Sequence, residues 1–141
     1  MVDLPHPPEM VFRYLVDPRN RPEWQSSLLS VTVFDRGEPH VGMEWRDNTV
    51  TGVIRPRMRI TELVPFKVFA EVGSFGGVTA DLRLHFTAIP GGCRIRATGE
   101  LSGSGRLSSF AARTATRLTP MALKSDLKRA GEILSRGRLQ K

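Results

Sequence analysis

The side chains able to do acid–base, nucleophilic or metal chemistry are few and dispersed. His6, His40, His85 and the single Cys93 stand at no ligand spacing, so no metal centre is expected. Surface positions suit the histidines, and His85 alternates with Arg83 along a strand-like run. Ser108-Ser109 have no histidine or acid beside them in sequence, which leaves a serine nucleophile without a base. Gly103-Ser104-Gly105 resembles a phosphate loop in outline only. No later strand completes a strand-helix-strand unit, Ser108 stands where a third glycine belongs, and a hinge is the better reading.

Glu71 is the one acid whose surroundings decide its chemistry. If the strand carrying it pairs with the preceding one so that Met58 or Ile60 lies opposite, Glu71 faces the apolar side of the sheet. There it would be a general acid/base candidate with a raised pKa. If Arg57 or Arg59 lies opposite, it is a solvated cross-strand ion pair. A one-residue slip separates the two, and the cost of ionising an acid among apolar groups favours the solvated pair.

Charge is unevenly placed along the 141 residues, which carry 21 Lys and Arg against 14 Asp and Glu for a net +7. Residues 1–93 hold 10 basic and 11 acidic side chains, a net of −1; residues 94–141 hold 11 and 3, a net of +8. Arg106, Arg113, Arg117, Lys124 and Lys128 recur at intervals of 7, 4, 7 and 4, which sets them along one side of an ideal helix. Such a stripe is ordinarily solvated, and transient contact with an anionic membrane is its leading functional use. Nucleic acid is not expected as a partner, because no aromatic interleaving or reading motif accompanies the charge. No apolar run exceeds three residues, which excludes a transmembrane helix and a signal-peptide core. A lone cysteine fits a reducing cytoplasm.

The elements follow from punctuation and period. Pro7-Pro8-Glu9 opens a short amphipathic helix with Val11, Tyr14 and Leu15 on one face, Asp17-Pro18 stops it, and Arg21-Pro22-Glu23-Trp24 makes a second short turn of helix. Strand-like stretches at 29–34, 43–46, 50–63, 68–72, 78–88 and 94–101 are separated by Asp35-Arg36-Gly37, Asp47-Asn48, Pro65, Gly76-Gly77 and Pro90-Gly91-Gly92. The short spacings predict an antiparallel meander, with room for a strand stub at Val2–Leu4. Leu107, Phe110, Ala111, Ala115, Leu118 and Met121 form an apolar stripe at helical period, predicting a helix that covers the sheet. A second set, Leu123, Leu127, Ala130 and Leu134, points nearly opposite, so a kink is expected at 118–121 beside Pro120.

This order of elements is that of the helix-grip fold, an α+β class with a curved antiparallel sheet of six to seven strands around a long C-terminal helix and two short N-terminal helices. Pro7-Pro8-Glu9-x-Val11-Phe12-x-Tyr14-Leu15-x-Asp17-Pro18, then Arg21-Pro22-Glu23-Trp24, Ile60-Thr61-Glu62-x-x-Pro65 and the Ser-Asp-Leu-Lys core within 123–134 resemble the START-related polyketide cyclase/dehydrase and lipid-transport superfamily. The likeness runs over nearly the whole chain, read as one domain of residues 1–141. It departs at the start, where members carry a full strand and this chain offers only Val2–Leu4. The resemblance implies a deep apolar cavity between sheet and last helix that holds a hydrophobic small molecule such as a lipid or polyketide. Some members are enzymes, so a cyclase or aromatase-type activity is the alternative to a carrier, with Glu71 as its catalytic candidate.

The residues expected to line that cavity are Leu82, Leu84, Phe86, Ile95 and Ala97 from the sheet, Phe110, Thr114 and Leu118 from the helix, and Trp24, Trp45, Met58 and Phe69 as rim or wall. Plain core packing is the competing reading for each of them. No cofactor is expected, and a monomer or homodimer fits.

Overall fold

The computed structural model describes residues 1–103 and 120–139. Pro7 is extended and Pro8 and Glu9 open α1 (Pro8–Val16), where a missing N–H costs nothing and an acid suits the positive helix end. Val11, Phe12, Leu15 and Val16 are buried on the face α1 turns to the sheet. Asp17 ends α1, and its carboxylate accepts the Arg19 N–H to start a single 3-10 turn, Pro18–Asn20. This turn runs straight into α2 (Arg21–Trp24), a one-turn helix that brings Arg21 and Trp24 inside.

Seven strands form one antiparallel sheet: β1 (Val2–Leu4), β2 (Leu28–Val33), β3 (Glu44–Thr49), β4 (Arg57–Val64), β5 (Val68–Phe75), β6 (Val78–Ile89) and β7 (Gly92–Ser102). Their spatial order is β1-β7-β6-β5-β4-β3-β2, a meander closed at one edge by the three-residue β1. Gly92 lets β1 approach: a Cβ there would stand 2.1 Å from the Leu4 carbonyl oxygen. The inner face carries Trp45, Met58, Ile60, Phe69, Leu84, Phe86 and Ile95, all buried. The outer face carries ion pairs such as Arg57–Glu44, Arg83–Glu62 and Arg94–Asp3. That division is the half-wet alternation of a one-sided antiparallel sheet.

The roof is α3 (Pro120–Leu139). Leu127 and Ala130 are buried in the core, with Leu123, Ile133 and Leu134 packed against it. The second apolar set of the C-terminal third thus faces the sheet. Met121, assigned by its period to the covering stripe, is instead 82% exposed. The rest of that stripe and residues 118 and 119 of the expected kink lie outside the described residues, as do Phe110, Thr114, Leu118, Arg106, Arg113 and Arg117.

Two contacts hold α3 in place from far away in sequence. Ser26 donates through its hydroxyl to Asp126 Oδ1 at 3.0 Å, and Arg129 donates to the Glu23 carbonyl at 2.9 Å. At the other end, His6 Nε2 lies 2.9 Å from Ser135 Oγ and 3.2 Å from the Gly131 carbonyl. His6 is therefore a buried strut and not a surface histidine; the step from β1 into α1 places it under the roof helix. His40 is exposed beside Asp35, and His85 is half-buried on the outer face.

Two strand limits also differ from the sequence reading. Asp47-Asn48, read as a turn, lies inside β3, and the chain reverses instead at residues 50–56, where Gly52 adopts a positive φ of 72°. The reason is chemical: Trp45 donates its indole N–H to Asp47 Oδ1 at 2.9 Å, which satisfies an acid that alternation turns inward. The strand read as 50–63 accordingly contracts to Arg57–Val64.

Candidate functional site

The register of β4 on β5 sets Ile60 opposite Glu71, the pairing that turns Glu71 inward. A bulge between Ile60 and Glu62 resets the phase immediately afterwards, so Glu62 faces out to Arg83 while Leu63 pairs with Phe69. Glu71 is 3% exposed, and the solvated ion pair that the cost of burial favoured is not formed. A cation from another element meets that cost. Arg21 of α2, 4% exposed, donates from Nη1 to Glu71 Oε2 at 2.8 Å and from Nη2 to Asp47 Oδ2 at 3.4 Å.

The guanidinium also stands 5.4 Å from the centre of the Trp45 ring and 5.9 Å from that of Trp24, a cation held between two indoles. The cluster contains one cation and two carboxyl groups, so full ionisation would bury one negative charge in excess. Burial pushes the Glu71 carboxyl above the usual glutamate range, Arg21 draws it back in part, and Asp47 pushes it up again. Burial likewise works against charge on Arg21, but Glu71 and Asp47 outweigh it and keep the guanidinium cationic. The buried Arg21 Nε and Trp24 Nε1 have no hydrogen-bond partner among the described residues.

Arg21, Asp47 and Glu71 form the polar end of a cavity of about 100 Å³ whose other walls are mostly apolar. Trp24 and Gln25 of α2, Ile54 and Pro56 of the β3–β4 loop, Met58, Gly73, Phe75, Val78, Ala80 and Leu82 of the sheet, and Leu123 and Asp126 of α3 complete the described lining. Gly73 makes room here, since a Cβ would sit 2.6 Å from Met58 Sδ. Asp126, at the mouth, has its carboxyl raised by burial and drawn partly back by its bonds from Ser26. A second hollow of about 700 Å³ adjoins the first through Leu82 and Leu123 and runs along Ile95, Ala97 and Leu127. The larger space lies within the range of small-molecule sites, roughly 300–1,000 Å³.

Of the residues proposed from sequence, Trp24, Met58, Leu82 and Glu71 line the first cavity, and Leu82, Ile95 and Ala97 the second. Trp45 is fully buried behind the first cavity and holds Asp47 in place. Phe69, Leu84 and Phe86 are core: Phe86 stacks edge-on against Phe12 of α1 at 5.2 Å, and Phe69 and Leu84 pair across β5 and β6. Sequence reasoning missed Arg21 and Asp47 as site residues. For Asp47 a signal existed, because Trp45, Asp47 and Thr49 share one parity with a tryptophan.

Among the described residues no group of three His, Cys, Asp or Glu side chains could hold a metal ion, and no helix is long and apolar enough to cross a membrane.

A seven-stranded sheet closed over an interior cavity by a C-terminal helix defines the helix-grip class. Residues 1–134 match the family model described as polyketide cyclase / dehydrase and lipid transport, and the chain belongs to that family. No protein of curated function matches the sequence. Among solved structures, protein MLL2253 from Mesorhizobium loti is similar at 19% identity and a TM-score of 0.69, over 94% of this chain and 92% of that one. Ara h 8.0201 is similar at 14% identity and a TM-score of 0.66, over 91% and 92%. DynU16, a putative protein in the dynemicin biosynthetic locus, is similar at 19% identity and a TM-score of 0.62; the match takes in 96% of this chain but 46% of DynU16. At these identities the likeness establishes the fold alone.

Proposed function

We propose that this protein binds a hydrophobic small molecule, lipid-like or polyketide-like, between the sheet and α3, with the Arg21–Glu71–Asp47 cluster as its polar anchor. One observation carries the reading. A largely apolar cavity is lined at its polar end by Arg21 and Trp24, whose buried Nε and Nε1 atoms have no hydrogen-bond partner among the described residues. Donors so placed select a guest with a carbonyl or hydroxyl oxygen at one end of an apolar body, because an unmatched buried polar group is costly. The buried Cys93 thiol suits work in a reducing cytoplasm.

The test is native mass spectrometry of the purified protein followed by organic extraction, alongside titration with the fluorescent apolar probe 1-anilinonaphthalene-8-sulfonate. The expected result is an extracted lipophilic compound or a saturable probe signal with a raised melting temperature. An unoccupied protein that neither binds the probe nor gains stability from it overturns the proposal.

The raised Glu71 carboxyl favours a second reading, an enzyme of the cyclase or aromatase type in the same cavity. Glu71 as carboxylate would take a proton from a carbon beside a carbonyl and, once protonated, return it to an oxygen. Glu71→Gln separates the readings: the amide still accepts from Arg21, so guest binding persists in both, while turnover of a poly-β-ketone substrate disappears only if the second holds.

A further inference from the structure

Arg21 and Trp24 stand three residues apart on α2, the spacing that puts two side chains on one side of a helix, and both line the cavity at its polar end. The donors gathered there can be accounted for one by one. Arg21 gives Nη1 to Glu71 and Nη2 to Asp47, and the Trp45 indole goes to Asp47. Arg21 Nε and Trp24 Nε1 are left over, both buried and without a partner among the described residues. The guanidinium lies 5.9 Å from the centre of the Trp24 ring, so the two leftover donors belong to neighbouring groups. A guest oxygen that accepts from them would offset part of the cost of burying both unmatched.

The charge around those donors restricts which oxygen can come. Among the described lining residues Arg21 is the one cation, while Glu71, Asp47 and Asp126 are acids. Lys124 lines the adjoining hollow and not this cavity. Asp47 already pushes the Glu71 carboxyl up, a sign that the cluster holds negative charge beyond what Arg21 balances. A carboxylate head would add to that excess away from water, whereas a ketone or ester oxygen accepts the same hydrogen bonds and adds no charge. A carboxylic acid of pKa about 4.3 that must enter protonated loses up to roughly 500-fold in affinity at pH 7, the ratio of its two forms.

From this we infer that the cavity takes guests whose polar end is an uncharged oxygen, that of a ketone, ester or alcohol, and that Glu71 and Asp47 are the residues that turn carboxylates away. The inference rests on the guest-binding proposal and narrows it. Any apolar pocket disfavours a charged head, so the test lies in the acids themselves. Displacement of the uncharged dye Nile red from the full-length protein is measured at pH 7 with 2-decanone, decanoate and decylamine, which share one chain length. In the wild type 2-decanone should act at a concentration about tenfold or more below that of decanoate. Glu71→Gln keeps an acceptor for Arg21 and removes an acid, and it should narrow the preference for 2-decanone over decanoate about tenfold. Asp47→Asn, which keeps an acceptor for the Trp45 indole, should narrow it in the same direction, and melting curves establish that each variant is folded.

Decanoate equal to 2-decanone in the wild type, a preference that both variants leave unchanged, or decylamine stronger than 2-decanone overturns the inference. Nile red keeps the two proposals apart. If the dye and 2-decanone bind without this discrimination, the selectivity falls alone; if neither binds, the guest-binding reading falls with it.

Discussion

Replacing Arg21 with methionine keeps a long apolar stem and deletes the guanidinium, leaving Glu71 and Asp47 facing each other without their shared cation. Breaking a buried pair in this way costs about 3–5 kcal/mol. For a chain of this length that lowers the melting temperature by about 10–20 °C, interpolating between the sensitivities of smaller and larger domains. The loss should depend on pH, and its sign follows from linkage. Without Arg21, which draws the Glu71 carboxyl back, that buried group holds its proton more tightly in the folded than in the unfolded state, whose pKa lies near 4. Stability of the variant therefore falls as pH rises. Urea unfolding of both proteins from pH 4.5 to pH 8 should show the deficit smallest at the acid end and largest at the alkaline end. Adding Asp47→Asn and Glu71→Gln to Arg21→Met should restore at least half of the loss at pH 8, because no unpaired charge is then buried. A deficit below about 1 kcal/mol at pH 8, or one equal at both ends of the range, would refute the view that Arg21 is what allows the acids to be buried.

Two further outcomes follow from the same geometry. Glu71→Gln alone should flatten the pH dependence of wild-type stability. The raised native pKa of Glu71 favours the folded state below the ordinary glutamate range and loses that advantage as pH climbs through the raised value, so a variant with an unchanged slope would assign the dependence elsewhere. Gly92→Ala should loosen β1, because the new methyl would meet the Leu4 carbonyl oxygen 2.1 Å away, which is backbone and cannot swing aside. Hydrogen exchange should then speed up in β1 and the facing part of β7 (Cys93–Ile95) while β4 and β5 stay protected.

The architecture was legible because its signals are local. Pro8 and Glu9 start a helix, the Gly76-Gly77 and Gly91 positions take positive φ where hairpins need it, and Leu82, Leu84 and Phe86 alternate as the sheet requires. The site was only half legible, because its decisive features are not local. Whether Glu71 faces in or out depends on one pairing with Ile60, and the adjacent bulge that changes phase leaves no mark in residue type. Arg21 stood out in the Arg21-Pro22-Glu23-Trp24 motif, yet nothing in a one-turn helix reveals that its partners are 26 and 50 residues away. Asp47 was hidden by its own chemistry: aspartate beside asparagine reads as a turn until a neighbouring indole is seen to hold it.

The struts from His6, Glu23 and Ser26 to α3 span 100 residues in the shortest case and 129 in the longest. On the ribosome, all seven strands emerge before the segment that covers them. A nascent chain therefore displays the greasy floor of its cavity until α3 has been made, and closure is left to contacts that span 100 residues or more. The cavity is enclosed only when α3 arrives. Shortening the delay between strands and lid, by circular permutation that places α3 first, is the manipulation to which its refolding yield should respond most.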